Sequence, residues 1–209
     1  MSLDVEWALR WVRLSADSIA EARDELTELD RQIGDGDHGA NLDRGFAAVR
    51  TKVDGLEAEN VGDVLKVVAT TLMSTVGGAS GPLYGTAYLR AAKVTGIPEL
   101  NAHAVVALLE GALEGITSRG RAEVGEKTMV DAWSPAVDAA EAAAAAGASP
   151  AEVLEAALAG AEEGARSTVD LVATKGRASY LGERSRGHLD PGARSTVLLL
   201  AAAAEAARG

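Results

Sequence analysis

The feature that most constrains this chain is the period of its hydrophobic residues. Apolar side chains recur every three to four positions over eight stretches, approximately 3–28, 39–54, 61–76, 81–95, 101–118, 127–146, 150–173 and 191–208. No run alternates with a period of two for long enough to build a sheet. In the first stretch Trp7, Leu14 and Ala22 join Val5, Leu9, Val12, Ile19 and Leu26 on one broad face. Aromatic residues make up only 3% of the chain and alanine is abundant, a balance that favours helix over strand. The expected class is all-α, with eight helices.

The punctuation agrees. Gly55, Gly77, Gly96, Gly120 and Gly147 fall where helices should close, and Asn60, Ser149 and Asp190 stand at N-cap positions. Pro82, Pro150 and Pro191 occupy first turns. The alanine-rich run near residues 141–165 keeps periodic Val and Leu, so it reads as core helix rather than linker, and 1–209 is expected to be one domain.

A net charge of −11 with no basic stripe excludes nucleic acid as a partner. An acidic protein that holds a phosphate compound must do so with a metal ion, backbone amides and a few placed Arg or Lys residues. The absence of cysteine excludes disulfides, thiolate metal sites and a Cys nucleophile. The N-terminus has no basic stretch ahead of an apolar run, and no apolar run approaches the roughly 20 residues that span a bilayer. A cytoplasmic protein without a membrane partner is expected.

Three connections, 30–38, 77–81 and 174–192, break the helical pattern. The first lies in "LDRQIGDGDHGANLDRGF" (Leu29–Phe46), where Asp30, Asp35 and Asp37 are spaced D-x4-D-x-D around Gly34 and Gly36. A tight turn of that kind can aim three hard oxygen ligands at one Mg²⁺ or Ca²⁺. The competing reading is a solvated acidic turn in which Asp35 or Asp37 caps the next helix, with Asp43 beyond it on the surface. An EF-hand is excluded, because the twelfth position from Asp35 is Phe46 rather than Glu.

"VGGASGPLYG" (Val76–Gly85) offers small residues and free amides at a helix start, an arrangement suited to anions, with Ser80 as a further donor. It also reads as one helix cap joined to the next. "GRAEVGEKTM" (Gly120–Met129) approaches a P-loop, but Glu126 intrudes between Gly125 and Lys127 and no strand precedes it, so a Walker A motif is rejected. The loop could still lie under a nucleotide, with Met129 against a base. "TKGRASYLGERSRGHLDPG" (Thr174–Gly192) carries Lys175, Arg177, Arg184 and Arg186. It is either a solvated face or a structureless lid whose cations lack local carboxylate partners. His103 reads as exposed or core, while His38 follows the acidic turn and His188 lies within the 174–192 segment, and either is a conceivable phosphohistidine.

Four motifs, "LDRQIGDGDHGANLDRGF", "TVGGASGPLYGTA", "SRGRAEVGEKTMVDAW" and "KGRASYLGERSRGHLDPGA", resemble the nucleotide-binding L subunit of dihydroxyacetone kinase, in order, from about Leu26 to the C-terminus. The resemblance implies an antiparallel eight-helix barrel with ADP or ATP and two Mg²⁺ ions at one mouth. Asp30, Asp35 and Asp37 match the family's metal ligands. His38, Asn41, Ala79 and Ser80 match phosphate-contacting positions, and Gly120 and Met129 match positions near the base and ribose. Arg177, Asp190, Pro191 and Gly192 match the closing loop, with Arg177 carried over as the catalytic residue. Arg186 is an additional charge within that loop, and the N-terminal helix is less diagnostic.

The implied function is delivery of a phosphoryl group to dihydroxyacetone held on a separate K subunit. ADP would be recharged in place by a phosphohistidine protein of the phosphotransferase system. Freely exchanging ATP and a non-catalytic Mg-nucleotide regulatory module are the alternatives, and a homodimer is left open.

Overall fold

The computed structural model describes residues 3–208. Asp4 opens the first helix by accepting from the Trp7 amide at 3.1 Å, and the chain then forms α1 (Val5–Glu21), α2 (Arg23–Ile33), α3 (His38–Val53), α4 (Val61–Thr75) and α5 (Ser80–Val94). It continues with α6 (Ala102–Gly120), α7 (Val130–Ala145), α8 (Pro150–Ser167) and α9 (Pro191–Ala206). Asn60, Ser149 and Asp190 cap α4, α8 and α9 as expected, and Ser149 and Glu152 complete a reciprocal capping box. Among the described residues there is no strand, only an isolated bridge between Leu3 and Leu100.

Four boundaries differ from the sequence reading. The first stretch, expected at 3–28, breaks at Ala22 and resumes as α2 to Ile33, where only Leu26 and Ile33 are buried and periodicity is faint. Asp30 therefore stands on the last helical turn rather than in the loop. Helix α7 begins at Val130 and not at 127, because Lys127 adopts a left-handed conformation with φ 62°. Helix α8 stops at Ser167 instead of 173 and gives way to a 3-10 turn over Thr168–Asp170. Gly120 is the last residue of α6, and the left-handed closing position falls on Arg121 (φ 52°).

Helix α1 packs on α3, each helix from α3 to α9 packs on the next, and α9 returns to α1, so eight rods close into a ring with α2 extending α1 over α3 and α9. The seam is held by two indoles: Trp7 Nε1 donates to the Ala203 carbonyl at 3.2 Å and Trp11 Nε1 to the Leu199 carbonyl at 2.9 Å. Numbering rises along α1 as it falls along α9, so these neighbours are antiparallel. Trp7 and Trp11 also stack, with centroids 5.2 Å apart. One continuous apolar cluster, including Ile19, Leu42, Phe46, Leu65, Leu72, Leu108, Leu154 and Leu199, draws on helices all round the ring. No helix of the described residues is long and apolar enough to cross a membrane.

Helices α7 and α8 approach each other closely. Pro135 lacks an N–H and so leaves the Asp131 carbonyl without its helical donor. Gly164 and Gly160 of α8 lie directly over the carbonyls of Asp131 and Pro135; a Cβ there would come within 2.1 and 2.3 Å of them. Gly160→Ala should therefore destabilise the protein by about 1–3 kcal/mol in urea titration, despite alanine's better helix propensity. Gly96→Ala, which meets nothing within 4 Å, should change stability by less than about 0.5 kcal/mol.

Candidate functional site

In a ring of alternating rods every second loop lies at the same mouth. Here those loops are 34–37, 76–79, 121–129 and 168–190, three of which overlap the connections that break the helical pattern, while 121–129 is the fourth. The N-termini of α3, α5, α7 and α9 gather there, and each contributes to the wall of one cleft: Asp37 and His38, Gly78 to Ser80, Lys127 to Met129, and Asp190 to Gly192. Free amides and the positive ends of helix dipoles thus face the same space. No side chain caps α5, whose Ser80 hydroxyl makes only a long 3.5 Å contact with the Gly77 carbonyl.

The acidic turn winds around Asp30. Its Oδ2 accepts from the amides of Asp37 at 2.8 Å and His38 at 3.2 Å, so Asp30, and not Asp35 or Asp37, satisfies the start of α3. Gly34 is required for this, since a Cβ would fall 2.2 Å from Asp30 Oδ1. Carboxylate oxygens of Asp30, Asp35 and Asp37 lie within 4.8 Å of one another. Arg177 reaches across from the closing segment to Asp35 at 3.1 Å and relieves part of the repulsion. Three converging hard oxygens with outward access fit Mg²⁺. Asp43 pairs loosely with Arg23 at 3.9 Å, away from this group.

The polar part of the cleft has a volume of about 200 Å³ and opens into a more apolar chamber of about 490 Å³ walled by Pro82, Leu83, Ile116, Gly120, Met129 and Val130. Ala79, Ser80, Asp190, Pro191, Gly192 and Arg177 all line the polar part. Asn41 does not: its Oδ1 accepts from Arg44 at 2.6 Å and its carboxamide lies against Gly77, behind the turn. His38 lines the cleft, but its Nε2 is bonded to the Ser195 hydroxyl at 3.0 Å. Burial holds its pKa down at about 4, against the pull of Asp30 and the Pro191 carbonyl, so the ring is neutral at pH 7. Ser195 joins the Tyr84 hydroxyl at 2.7 Å, and Tyr84 and Thr196 both donate to the Gly192 carbonyl, tying α3, α5 and α9 together.

The closing segment is not structureless. Residues Arg177–Ser185 wind into 3-10 turns, and the Ser185 hydroxyl accepts from the Ala173 amide at 2.8 Å while donating to the Gly182 carbonyl at 2.6 Å. Three of its four cations also find partners. Lys175 stands 3.9 Å from Glu126, Arg186 stands 3.3 Å from Glu183, and Arg177 holds Asp35. His188 sits outside the cleft wall with Nδ1 against Gln32 at 3.0 Å, and His103 is exposed. Sequence reasoning assigned no site role to Lys127, Thr128 or Leu83, which also line the cleft. No local sequence signal distinguishes Lys127, which follows Glu126 in the loop; only the structure shows its left-handed backbone, with φ 62°.

A profile described as the DAK2 domain matches residues 32–205. The chain belongs to the DAK2 domain family. It is 45% identical over 199 residues to "PEP-dependent dihydroxyacetone kinase 1, ADP-binding subunit DhaL" of Listeria innocua, covering 95% of each chain. It is 43% identical over 209 residues to "PEP-dependent dihydroxyacetone kinase, ADP-binding subunit DhaL" of Escherichia coli, covering 100% of each. The dihydroxyacetone kinase from C. freundii, solved in complex with AMP-PNP and Mg²⁺, superposes with a TM-score of 0.73 at 25% identity over 95% of this chain and 33% of that one. The DAK2 fold is thus a helical barrel in both chains.

Among the carboxylates of this DAK2 barrel Asp190 has the most displaced acidity. Its carboxylate caps α9 through the Ala193 amide at 2.8 Å, yet burial pushes its pKa up from 3.8 to about 7, opposed by Ala193 and Lys127 and reinforced by Asp131 and Asp30. Between those values the folded protein keeps a proton that the unfolded chain has released. The stabilisation is full below about pH 4 and is lost as pH rises through about 7. Asn preserves the cap without the charge. Thermal or urea melts of the metal-free protein should show Asp190→Asn gaining on wild type between pH 4 and 8, by on the order of 4 kcal/mol at 1.36 kcal/mol per pH unit. A difference independent of pH would refute the assignment.

Proposed function

We propose that this chain is the nucleotide-binding, phosphoryl-transferring subunit of a cytoplasmic dihydroxyacetone kinase, a single domain that acts on dihydroxyacetone held by a separate K subunit. The observation that carries the reading is the meeting of a three-carboxylate cluster with four helix N-termini and Arg177 in one cleft. The full-length relatives of this chain are named as ADP-binding subunits of PEP-dependent kinases, and another, 43% identical, from Lactococcus lactis is named PTS-dependent. These names favour resident ADP recharged by a phosphohistidine protein. The AMP-PNP complex of the C. freundii enzyme favours exchange of ATP, but at 25% identity and a third of that chain's length. The absence of cysteine suits a cytoplasmic setting.

Three carboxylates, Asp30, Asp35 and Asp37, and the partly protonated Asp190 face three cations, Lys127, Lys175 and Arg177, in the polar part of the cleft. A polyphosphate is repelled until that balance changes. Asp30, Asp35 and Asp37 would hold two Mg²⁺ ions, which would supply the missing positive charge. The amides of Gly78, Ala79 and Ser80 and of the α9 start then orient the phosphates, while Gly120 and Met129 border the chamber suited to the base and ribose. His38, Pro191 and Gly192 shape the floor, and Asn41 supports the Gly77–Gly78 turn from behind. Arg177 leaves Asp35 for the transferring phosphoryl group, where its charge counts most in the transition state.

Three experiments test this. Native mass spectrometry of the purified protein should reveal bound ADP that is lost with EDTA, and Asp37→Ala should weaken Mg-ADP binding at least about tenfold while the fold persists, because removing a like charge relieves repulsion. Unchanged affinity in that variant would sink the metal assignment. Arg177→Ala should slow transfer to dihydroxyacetone more than it weakens ADP binding. It should also tighten divalent binding in the absence of nucleotide by up to about fivefold, the worth of an exposed ion pair. Equal losses in affinity and rate would reduce Arg177 to a simple clamp.

A further inference from the structure

Lys127 takes no part in the transfer scheme, yet it is the most unusual cation in the molecule. Its side chain is 1% exposed, its backbone is left-handed, and it lies on the wall of the cleft. Strain of that kind in a residue other than glycine costs about 1–3 kcal/mol and persists only where the surroundings enforce it. Here the enforcing contacts are two hydrogen bonds from Nζ to the carbonyls of Thr168 and His188.

Those carbonyls mark the two ends of the closing segment. Thr168 is where α8 gives way, and His188 stands just before α9. The same crossing is stitched by Gly187 N to the Val169 carbonyl at 2.7 Å and Asp190 N to the Thr168 hydroxyl at 3.0 Å. The ammonium thus sits in the neck of a loop whose tip carries Arg177. Facing it are Asp190 from the start of α9, Asp131 from α7, Asp170 from the neck and, with opposite effect, Arg186. Asp131 in turn accepts from the Thr128 amide at 2.7 Å and fixes the loop that presents Lys127. A neutral side chain of equal length would leave both neck carbonyls without this donor and three carboxylates short of a counter-charge.

We infer that Lys127 is a positioning residue: its buried ammonium pins the neck of segment 168–188 to the 121–129 loop, and so holds Arg177 over the acidic turn. Only the consequence for phosphoryl transfer rests on the function proposed above. The pinning itself is read without nucleotide.

Hydrogen exchange followed by mass spectrometry on the full chain, metal-free and ligand-free, makes the test. In Lys127→Met, peptides covering 168–188 and 121–129 should exchange at least tenfold faster, while those from α1, α3 and α4 stay within twofold of wild type. In Lys127→Ala, millimolar ethylammonium should restore much of the protection and ethanol should not, because only the former returns the charge and its donors. In the kinase assay with the K subunit, Lys127→Met should lower kcat more than tenfold with less than a threefold change in KM for dihydroxyacetone. Unchanged exchange at the neck, a uniform rise over all helices, rescue by ethanol alone, or failure of both variants to fold would each overturn the assignment. Were wild type itself inactive, the proposed function would fall while the exchange result still decided the role of Lys127.

Discussion

The structure depends on closure: eight helices that alternate in direction form a ring only if the last packs against the first. That contact is the α1–α9 seam, where Trp7 and Trp11 present indole N–H groups to carbonyls four residues apart on α9. Because the helix carbonyls have a second lone pair to offer, the seam gains donors without unwinding α9. Closure has a topological consequence. It assigns alternate loops to one mouth, and with them the N-termini of four helices, so the site is assembled from segments far apart in sequence by the geometry of the ring.

At that mouth the chain concentrates like charge. Asp30, Asp35 and Asp37 are held close by a turn that gives two backbone amides to Asp30 and removes every side-chain atom at Gly34. Such crowding is costly in an ion-free site, and the nearest available cation, Arg177, is drawn onto Asp35. The same arrangement explains how an acidic protein can accept a more acidic ligand. Under the proposed function, divalent cations would invert the sign of the pocket, helix N-termini would supply fixed donors, and Arg177 would be freed for the phosphates. The neutral His38 and the Tyr84–Ser195 pair beneath them keep the floor rigid without adding charge.

Much of this was legible in the sequence, and the reasons are specific. Helices α3 to α6 and α9 were readable because their apolar faces are dense and their ends carry Gly, Asn, Asp or Pro. The break at Ala22 and the extension to Ile33 were not, since α2 buries only two side chains and its polar residues resemble a loop. The convergence of Asp30, Asp35 and Asp37 was readable from D-x4-D-x-D because the three residues are local. The role of Asp30 as the cap of α3 was hidden, because N-cap rules look to the residue next to the helix. Lys127 was beyond sequence reasoning: its partners lie 41 and 61 residues away, and a loop lysine is ordinarily solvated. The closing segment looked structureless because the hydroxyl of Ser185, rather than any apolar pattern, organises it.

The central claim is that divalent cation and ADP share one site and bind cooperatively, each supplying the charge that the other lacks. Isothermal titration of ADP into the nucleotide-free protein, repeated across a series of Mg²⁺ concentrations, measures that coupling directly. The account predicts that ADP affinity rises by at least about tenfold on going from EDTA to saturating Mg²⁺, and that Mg²⁺ affinity rises by the same factor in the presence of ADP, as linkage requires. An ADP affinity indifferent to Mg²⁺, after correction for Mg-ADP formation in solution, would contradict it.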